Sequence, residues 1–550
     1  MSSGGFHALR GSPLADRNRF VLKLNDFMRT PWYVIALSVL TVLANFFAQE
    51  LALYTLFIAV GIFIMLCGRD FLPLMPIVIL SYIAPSPSNN PGSANNQGSI
   101  FYPENGGIYL IVLVILFLVC LVFRLSTDGK LGRSAFFRKK RSLLSGLLLV
   151  CGGYLLSGVG MAEYGQSATY FLISCGLGVL AFYLGWLVWD VVASKFTLKK
   201  GLPHKAVLGW GIGVALLVYA VAGGVFGLFG DLAARNLLFA IIQCAAVLVM
   251  YYLFSGTVNW EDTPKDYLAW VGMCAGFVVM PQLAENYLSG RIFMDGTHTI
   301  DRELIYAGWG MHNNIGGMMT FMLPFPFYLA CTRKKGWVYH LLGIILLFGV
   351  LLSCSRGSIM VALAINCVCV VRVMRIREQR KQNLWVSGVV YTLALVFCIV
   401  CFDKLMKVFD LFMEEIFIMS ERDNLVGYGT KQFLAHPLFG GSFFPQGEYV
   451  PWDWSTSEAF SSFFPPRWHN TIIQVLASCG IVGIVCYLWH RFQTIRLVLK
   501  NRSTEKSFIG MFMAALLLCS LMDCHFFNVG PVLFYSMALA FAENIEQSKL

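Results

Sequence analysis

The segment FSSFFPPRWHNTIIQVLASCGIVG, residues 460–483, passes from an aromatic stretch with two prolines into a long apolar run. Pro465 and Pro466 disfavour a helix before them, and the run after Asn470 predicts a helix. His469 is therefore expected at a helix N-terminus, where the polar segment meets the membrane. The positive end of the helix dipole makes this position favourable for an anion.

Similar apolar runs recur along most of the 550 residues. Hydrophobic residues make up 57% of the chain and charged residues 13%, which excludes a soluble domain with a charged surface. Runs of roughly 17 to 25 continuous apolar residues favour membrane-spanning helices over a barrel. We expect an all-α polytopic membrane protein with about 14–16 transmembrane helices and a long extracytoplasmic loop that contains short interfacial helices.

The chain is predicted to divide into five parts. They are a cytoplasmic N-terminal tail (1–31), N-terminal transmembrane helices (32–300), a transmembrane core (301–402), an extracytoplasmic loop (403–469) and C-terminal transmembrane helices (470–550). Apolar residues at helical spacing predict a surface helix over residues 403–419.

Basic residues in the short loops predict the orientation, because Lys and Arg are retained on the cytoplasmic side. With the predicted helix boundaries, every basic cluster falls on one side of the membrane. Both termini are then cytoplasmic, and the polar segments with unusual residues are extracytoplasmic. The clusters lie at residues 138–141, 195–205, 333–335, 372–381 and 491–502.

The sixteen cysteines do not predict a metal site. Most of them are isolated inside apolar runs, where a thiol acts as a small hydrophobic group, and no pair of CxxC motifs supports a metal site. We expect no metal, no cofactor and no nucleic-acid partner.

Two arginines stand out on the predicted outer side. Arg356 lies between two apolar runs in LLSCSRGSIMVALAI, where an arginine is costly unless it reaches headgroups or an anion. Arg422 follows Ser420 in SERDN, where an ordinary surface charge is the simpler interpretation of this residue alone. His469 taken alone is more often a structural residue than a catalyst.

Together, two arginines and a histidine on one membrane face favour a specific chemistry. The planar guanidinium can bind a diphosphate through two parallel hydrogen bonds, and a neutral histidine can accept a proton from a hydroxyl. Transfer from a lipid diphosphate to an alcohol needs both functions.

Four segments in order resemble the O-antigen ligase and polymerase superfamily of bacterial envelope glycosyltransferases, of the GT-C type. They are GMHNNIGGMMTFMLPFPFYLA, LLSCSRGSIMVALA, SERDNLVGYGTKQFLAHPLFGGSFF and RWHNTIIQVLASCGIVGIVCYL, within residues 305–490. The third segment departs from the family pattern, since it has GGSFFP where a glycine-alternating GxG is usual.

The resemblance implies transfer of an oligo- or polysaccharide from undecaprenyl diphosphate to an acceptor hydroxyl on a lipid or glycan, without a metal. It implies that Arg356 and Arg422 bind the diphosphate and that His469 is the catalytic residue. Arg467, Asn313 and Trp468 become candidate substrate-binding residues. The implied location is the bacterial inner membrane, in contact with membrane lipids and with the site on the extracytoplasmic face.

Three other functions stay open at this point. A polymerase would join lipid-linked repeat units, and an oligosaccharyltransferase would modify a protein, with the same donor chemistry. A small-anion transporter would instead place ionisable residues at mid-membrane on broken helices.

Overall fold

The computed structural model describes residues 19–47, 49–83, 107–127, 146–147, 149–154, 157, 236, 239–290, 292, 300, 302–400, 422–444 and 467–547. Within these ranges the chain is helical apart from turns and one short antiparallel pair of strands, β1 (Tyr306–Ala307) and β2 (Gly310–Met311). The predicted all-α fold is confirmed. The predicted surface helix over residues 403–419 lies outside the described residues.

Seven helices precede the strands. They are α1 (Arg19–Met28), α2 (Pro31–Phe46), α3 (Glu50–Cys67), α4 (Leu74–Ile83), α5 (Gly107–Thr127), α6 (Phe239–Thr257) and α7 (Tyr267–Leu288).

Nine described helices follow the strands. They are α8 (His312–Met322), α9 (Pro324–Thr332), α10 (Gly336–Leu352), α11 (Arg356–Met374), α12 (Arg380–Val400), α13 (Arg422–Ala435), α14 (Thr471–Leu499), α15 (Thr504–Ser520) and α16 (Val529–Asn544). A 3-10 turn, His525–Phe527, connects α15 to α16.

The described helices include six spans long and apolar enough to cross a membrane, or seven if the bent pair α1 and α2 counts as one. Each of these helices is long enough to cross about 30 Å of hydrocarbon. The protein is therefore a multi-pass membrane protein. The predicted number of 14–16 spans also counts segments outside the described residues and stays a prediction.

Polar contacts at one end of the bundle join the loops that carry basic clusters. Arg333 pairs with Asp266, and Gln379 Nε2 donates to the Arg333 carbonyl at 2.8 Å. A second ion pair at this end joins Lys506 and Glu546. Because α10, α11, α14 and α15 each run from one end to the other, the SRG and RWHN segments lie at the opposite end.

The C-terminal end of α14 differs from the prediction. The basic cluster at 491–502 was expected in a loop, but α14 continues to Leu499 and Arg491 lies inside it, only 8% exposed. The rings of Phe526 and Tyr535 from other segments, together with that of Tyr487 from α14 itself, surround the Arg491 guanidinium inside the bundle.

A break divides α14 at Gly480, where φ is +65° and the backbone is not helical. The loop after α13 fills this break. The amide of Ile481 donates to the Pro437 carbonyl at 2.8 Å, and that of Val482 donates to the Leu438 carbonyl at 3.1 Å. The loop carbonyls thus replace the missing helical acceptors.

The HPLFGG loop depends on two left-handed residues. Gly440 and Ser442 both have φ of +75°, so Ser442 adopts the conformation expected of the second glycine in a GxG pattern. Its hydroxyl donates to the Phe444 carbonyl at 3.0 Å, and its own carbonyl accepts from Gln432 at 2.9 Å. These bonds stabilise a serine in a backbone region that normally favours glycine.

Candidate functional site

The RWHN segment forms a tight turn at the start of α14. His469 has φ of +49°, which is uncommon for a residue with a side chain. Asn470 caps the helix, because its Oδ1 accepts from the amides of Ile472 at 2.9 Å and Ile473 at 3.2 Å. Its Nδ2 donates to the Leu521 carbonyl at 3.0 Å. The turn is thereby tied to the segment after α15.

His469 faces a carboxylate on that segment. Its Nδ1 lies 3.3 Å from Asp523 Oδ1, and Asp523 Oδ1 also accepts from the Cys524 amide at 2.6 Å. A carboxylate at this position favours the tautomer with the proton on Nδ1, in which Nε2 is the proton acceptor. The His469 side chain is 30% exposed, so the ring is accessible while its partner is almost buried.

The charge of Asp523 is maintained by its surroundings. Burial alone would raise the pKa of the Asp523 carboxyl, but interactions with the His469 ring, with His525 and with Arg467 hold this pKa well below its usual range. Asp523 is therefore an anion at neutral pH, and Arg467 lies close enough to contribute to its stabilisation.

The SRG segment turns sharply before α11. Cys354 has φ of +54°, and Ser355 occupies the N-cap position of α11. The hydroxyl of Tyr287, from the end of α7, donates to the Leu352 carbonyl and holds this turn. Arg356 is thus the first residue of a helix, half-buried at the same end of the bundle as RWHN.

Contacts through one glycine connect the SRG segment with the His469 and Asp523 pair. Gly357 packs against Met522, because an added Cβ would lie 2.6 Å from the Met522 Sδ. Met522 precedes Asp523 in the chain. Arg356 and His469 therefore both lie next to the turn between α15 and α16.

The start of α8 joins the same region through two asparagines. Ser355 Oγ donates to Asn313 Oδ1 at 3.0 Å, and Asn528 Nδ2 donates to Asn314 Oδ1 at 2.9 Å. Close approach requires the glycine that follows, since a Cβ on Gly316 would lie 2.6 Å from the Ser355 Cβ. The N-termini of α8, α11, α14 and α16 therefore converge on one place.

Arg422 begins α13, which packs along the first half of α14. Gly429 lies against Trp468 and Ile473, while Gly440 lies against Cys479 further along both segments. These contacts run in the same direction, so α13 starts at the end of the bundle that carries RWHN.

The structure brings most of the predicted residues to one end. Arg356, Arg467, His469 and Asn313 lie around the turn between α15 and α16. Trp468 is 1% exposed and packs between α13 and α14, so its observed contacts are with protein. Contact of Trp468 with substrate, like the other predicted roles, stays a prediction.

Sequence reasoning missed Asp523, Ser355 and Asn528. The segment LMDCHFFN does contain a signal, because an aspartate, a histidine and an asparagine interrupt two apolar runs there. The ranges that the structure describes hold no group of three His, Cys, Asp or Glu residues able to hold a metal ion.

Residues 316–488 match the family model of the O-antigen ligase. The match covers about a third of the chain and supports the resemblance to the O-antigen ligase and polymerase superfamily that the four ordered segments predicted. It contains Arg356, Arg422, Arg467 and His469, while Asn313 and Asp523 lie outside it. A comparison with the curated proteins finds no match.

Proposed function

Because residues 316–488 carry an O-antigen ligase domain, we propose that this protein transfers an oligo- or polysaccharide from undecaprenyl diphosphate to an acceptor hydroxyl, on the lipid A core or a similar acceptor. The reaction takes place at the extracytoplasmic end of the inner-membrane bundle. The observation that carries this proposal is the His469 and Asp523 pair, which lies at the same end of the bundle as the SRG segment, whose Gly357 packs against Met522.

His469 acts as the general base. The acceptor hydroxyl attacks the anomeric carbon of the first donor sugar, and its proton passes to His469 Nε2. Asp523, whose carboxylate lies 3.3 Å from Nδ1, orients the ring and stabilises the imidazolium that forms. The bond between the anomeric carbon and the diphosphate oxygen breaks, and undecaprenyl diphosphate leaves with the bonding electrons. Direct attack inverts the anomeric configuration.

Arg356 and Arg422 bind the diphosphate and stabilise its growing charge. Their guanidinium groups stay charged at any relevant pH and can form bidentate hydrogen bonds with phosphate oxygens. The converging N-termini of α8, α11, α14 and α16 add positive potential at the same end. Protein charges alone can therefore supply the electrostatic stabilisation, and the proposed reaction uses no metal.

Deletion of the gene tests the proposal and its alternatives. If undecaprenyl-linked polymer accumulates and the acceptor stays unmodified, the protein is a ligase. Accumulation of single lipid-linked repeat units would instead identify a polymerase that joins them. If neither species accumulates, the glycosyltransferase proposal is wrong and anion transport becomes the better explanation.

Purified protein in liposomes separates the chemistry from indirect effects in cells. Donor and acceptor are added with a metal chelator, and the glycan product is measured by gel and mass spectrometry. Wild-type protein is expected to form product, whereas His469→Ala is expected to form none while still binding the lipid-linked donor. Loss of donor binding alone would assign His469 to the phosphate site.

A further inference from the structure

Arg491 lies deep inside the second half of α14. It is 8% exposed within the candidate span Thr471–Leu499, and the helical rise places it about 16 Å beyond the break at Gly480. An arginine at such a position is costly and indicates a function.

Aromatic rings surround the Arg491 guanidinium. Its Cζ lies 4.0 Å from the ring centre of Phe526, 4.7 Å from that of Tyr487 and 5.3 Å from that of Tyr535. Nε and Nη2 are buried and find no hydrogen-bond partner among the described residues. The Arg491 charge thus interacts both with these aromatic rings and with the hydroxyl groups of Tyr487 and Tyr535.

The nearest of these rings belongs to the turn that follows Asp523. Phe526 lies in the 3-10 turn His525–Phe527, and Cys524 is the N-cap residue of this turn. Asp523 is the residue before Cys524. Tyr535, which also faces Arg491, is fixed by hydrogen bonds to His490 Nε2 at 2.8 Å and Thr494 Oγ1 at 2.9 Å. Arg491 therefore contacts the turn from a rigid part of α14.

Other contacts hold the two residues on either side of Phe526. The His525 ring packs on Gly317, where an added Cβ would lie 2.5 Å from the ring. The Phe527 carbonyl accepts from Gln243 Nε2 at 2.9 Å. The central residue, Phe526, packs against the rings of Tyr487 and Tyr535 and against the Arg491 guanidinium, which supplies the charged contact.

We infer that Arg491 is a positioning residue for transfer, which holds Phe526 and thereby keeps Asp523 against His469. The first half of α14 carries His469 next to its N-terminus, and the second half fixes the carboxylate that orients this histidine. One helix thus determines the geometry of both members of the pair. The role in transfer rests on the proposed function, whereas the contact between Arg491 and the turn does not.

Kinetics of four variants test this role. Arg491→Met removes the cation and is expected to lower kcat about 10- to 100-fold with little change in KM for the donor, since the acid–base pair is misplaced and donor groups are untouched. Arg491→Lys restores part of kcat because a cation remains over Phe526. Phe526→Leu reproduces the loss, and the double variant Arg491→Met with Phe526→Leu is no slower than the slower single variant.

Arg496→Met is the matched control. It removes the same charge from the same helix at an exposed position in the last turn, and it is expected to leave kcat unchanged. Additive losses in the double variant, or an increase in donor KM without a fall in kcat, would overturn the positioning role.

Hydrogen exchange tests the contact independently of activity. In nanodiscs, Arg491→Met is expected to increase deuterium uptake in a peptide that covers residues 521–528, while Arg491→Lys has a smaller effect and Arg496→Met has none. Unchanged uptake in properly folded Arg491→Met protein would refute the inference. If wild-type protein shows no transfer at all, the proposed function fails, and the exchange result still decides whether Arg491 holds the turn.

Discussion

His469 Nδ1 and Asp523 Oδ1 lie 3.3 Å apart, although one residue precedes α14 and the other follows α15. The contact joins two segments that the sequence separates by two helices, α14 and α15. Only one of the two residues lies within the matched O-antigen ligase domain. Substitution of Asp523 therefore tests the pair directly.

Asp523→Asn is expected to lower the transfer rate about 100- to 10,000-fold, because the amide can hold the wrong His469 tautomer and cannot stabilise the imidazolium. The measurement is product formation in liposomes at saturating donor. Asp26→Asn is the control, since that carboxylate is 63% exposed and pairs with Arg69 at the opposite end. Near-normal transfer by Asp523→Asn would mean that the pair has no catalytic role.

The low pKa of the Asp523 carboxyl predicts how stability depends on pH. The pKa of the Asp523 carboxyl is lower in the folded state than in the unfolded state, where it is about 4. The ionised carboxylate therefore stabilises the folded state fully at a pH above the unfolded pKa. This stabilisation is lost as the pH falls through the folded pKa. The melting temperature of wild type minus that of Asp523→Asn should not shrink between about pH 8 and pH 5. Thermal unfolding in detergent measures it, and a steady decrease over this range would contradict an ionised Asp523.

Replacement of Arg356 or Arg422 by Lys is expected to reduce transfer at least about tenfold, because an ammonium group cannot form the bidentate contact with a diphosphate. Donor titrations should show weaker binding as well as slower transfer. Arg375→Lys, at the opposite end of α11, is expected to behave like wild type. Full activity in both site variants would exclude the diphosphate role.

Gly316→Ala is expected to destabilise the protein by about 1–3 kcal/mol and to displace the SRG turn, because the new Cβ would lie 2.6 Å from both Ser353 Oγ and Ser355 Cβ. Gly256→Ala is the matched control, since a Cβ there meets nothing within 4 Å. Melting curves and transfer rates of both variants provide the comparison. An equal effect of the two substitutions would show that the close approach of α8 to the SRG turn is unimportant.

Hydropathy was sufficient to predict where most described helices lie. The apolar run after Arg356 was expected to form a membrane-spanning helix, and α11 covers Arg356–Met374, because a helix of this length matches the thickness of the membrane. The same reasoning failed at the end of α14. An arginine is interpreted as the end of a span from sequence, whereas aromatic rings from distant segments allow Arg491 to stay inside one.

The site was predicted only in part. Motif order indicated Arg356, Arg422 and His469, since each stands in a short segment with its own pattern. Asp523 was missed because only the tertiary fold brings it to His469. A single acidic residue between two apolar runs shows no sequence spacing that predicts this contact.

The interlocking of the HPLFGG loop with the break in α14 has a mechanical consequence. A Cβ on Gly440 would collide with the backbone of Ser478 and Cys479, and one on Gly480 would collide with the backbone of Leu438. The break in α14 is therefore rigid. The helix could become straight only if the HPLFGG loop left the break. The first half of α14, which directly follows His469, is thereby held in a fixed orientation relative to the second half.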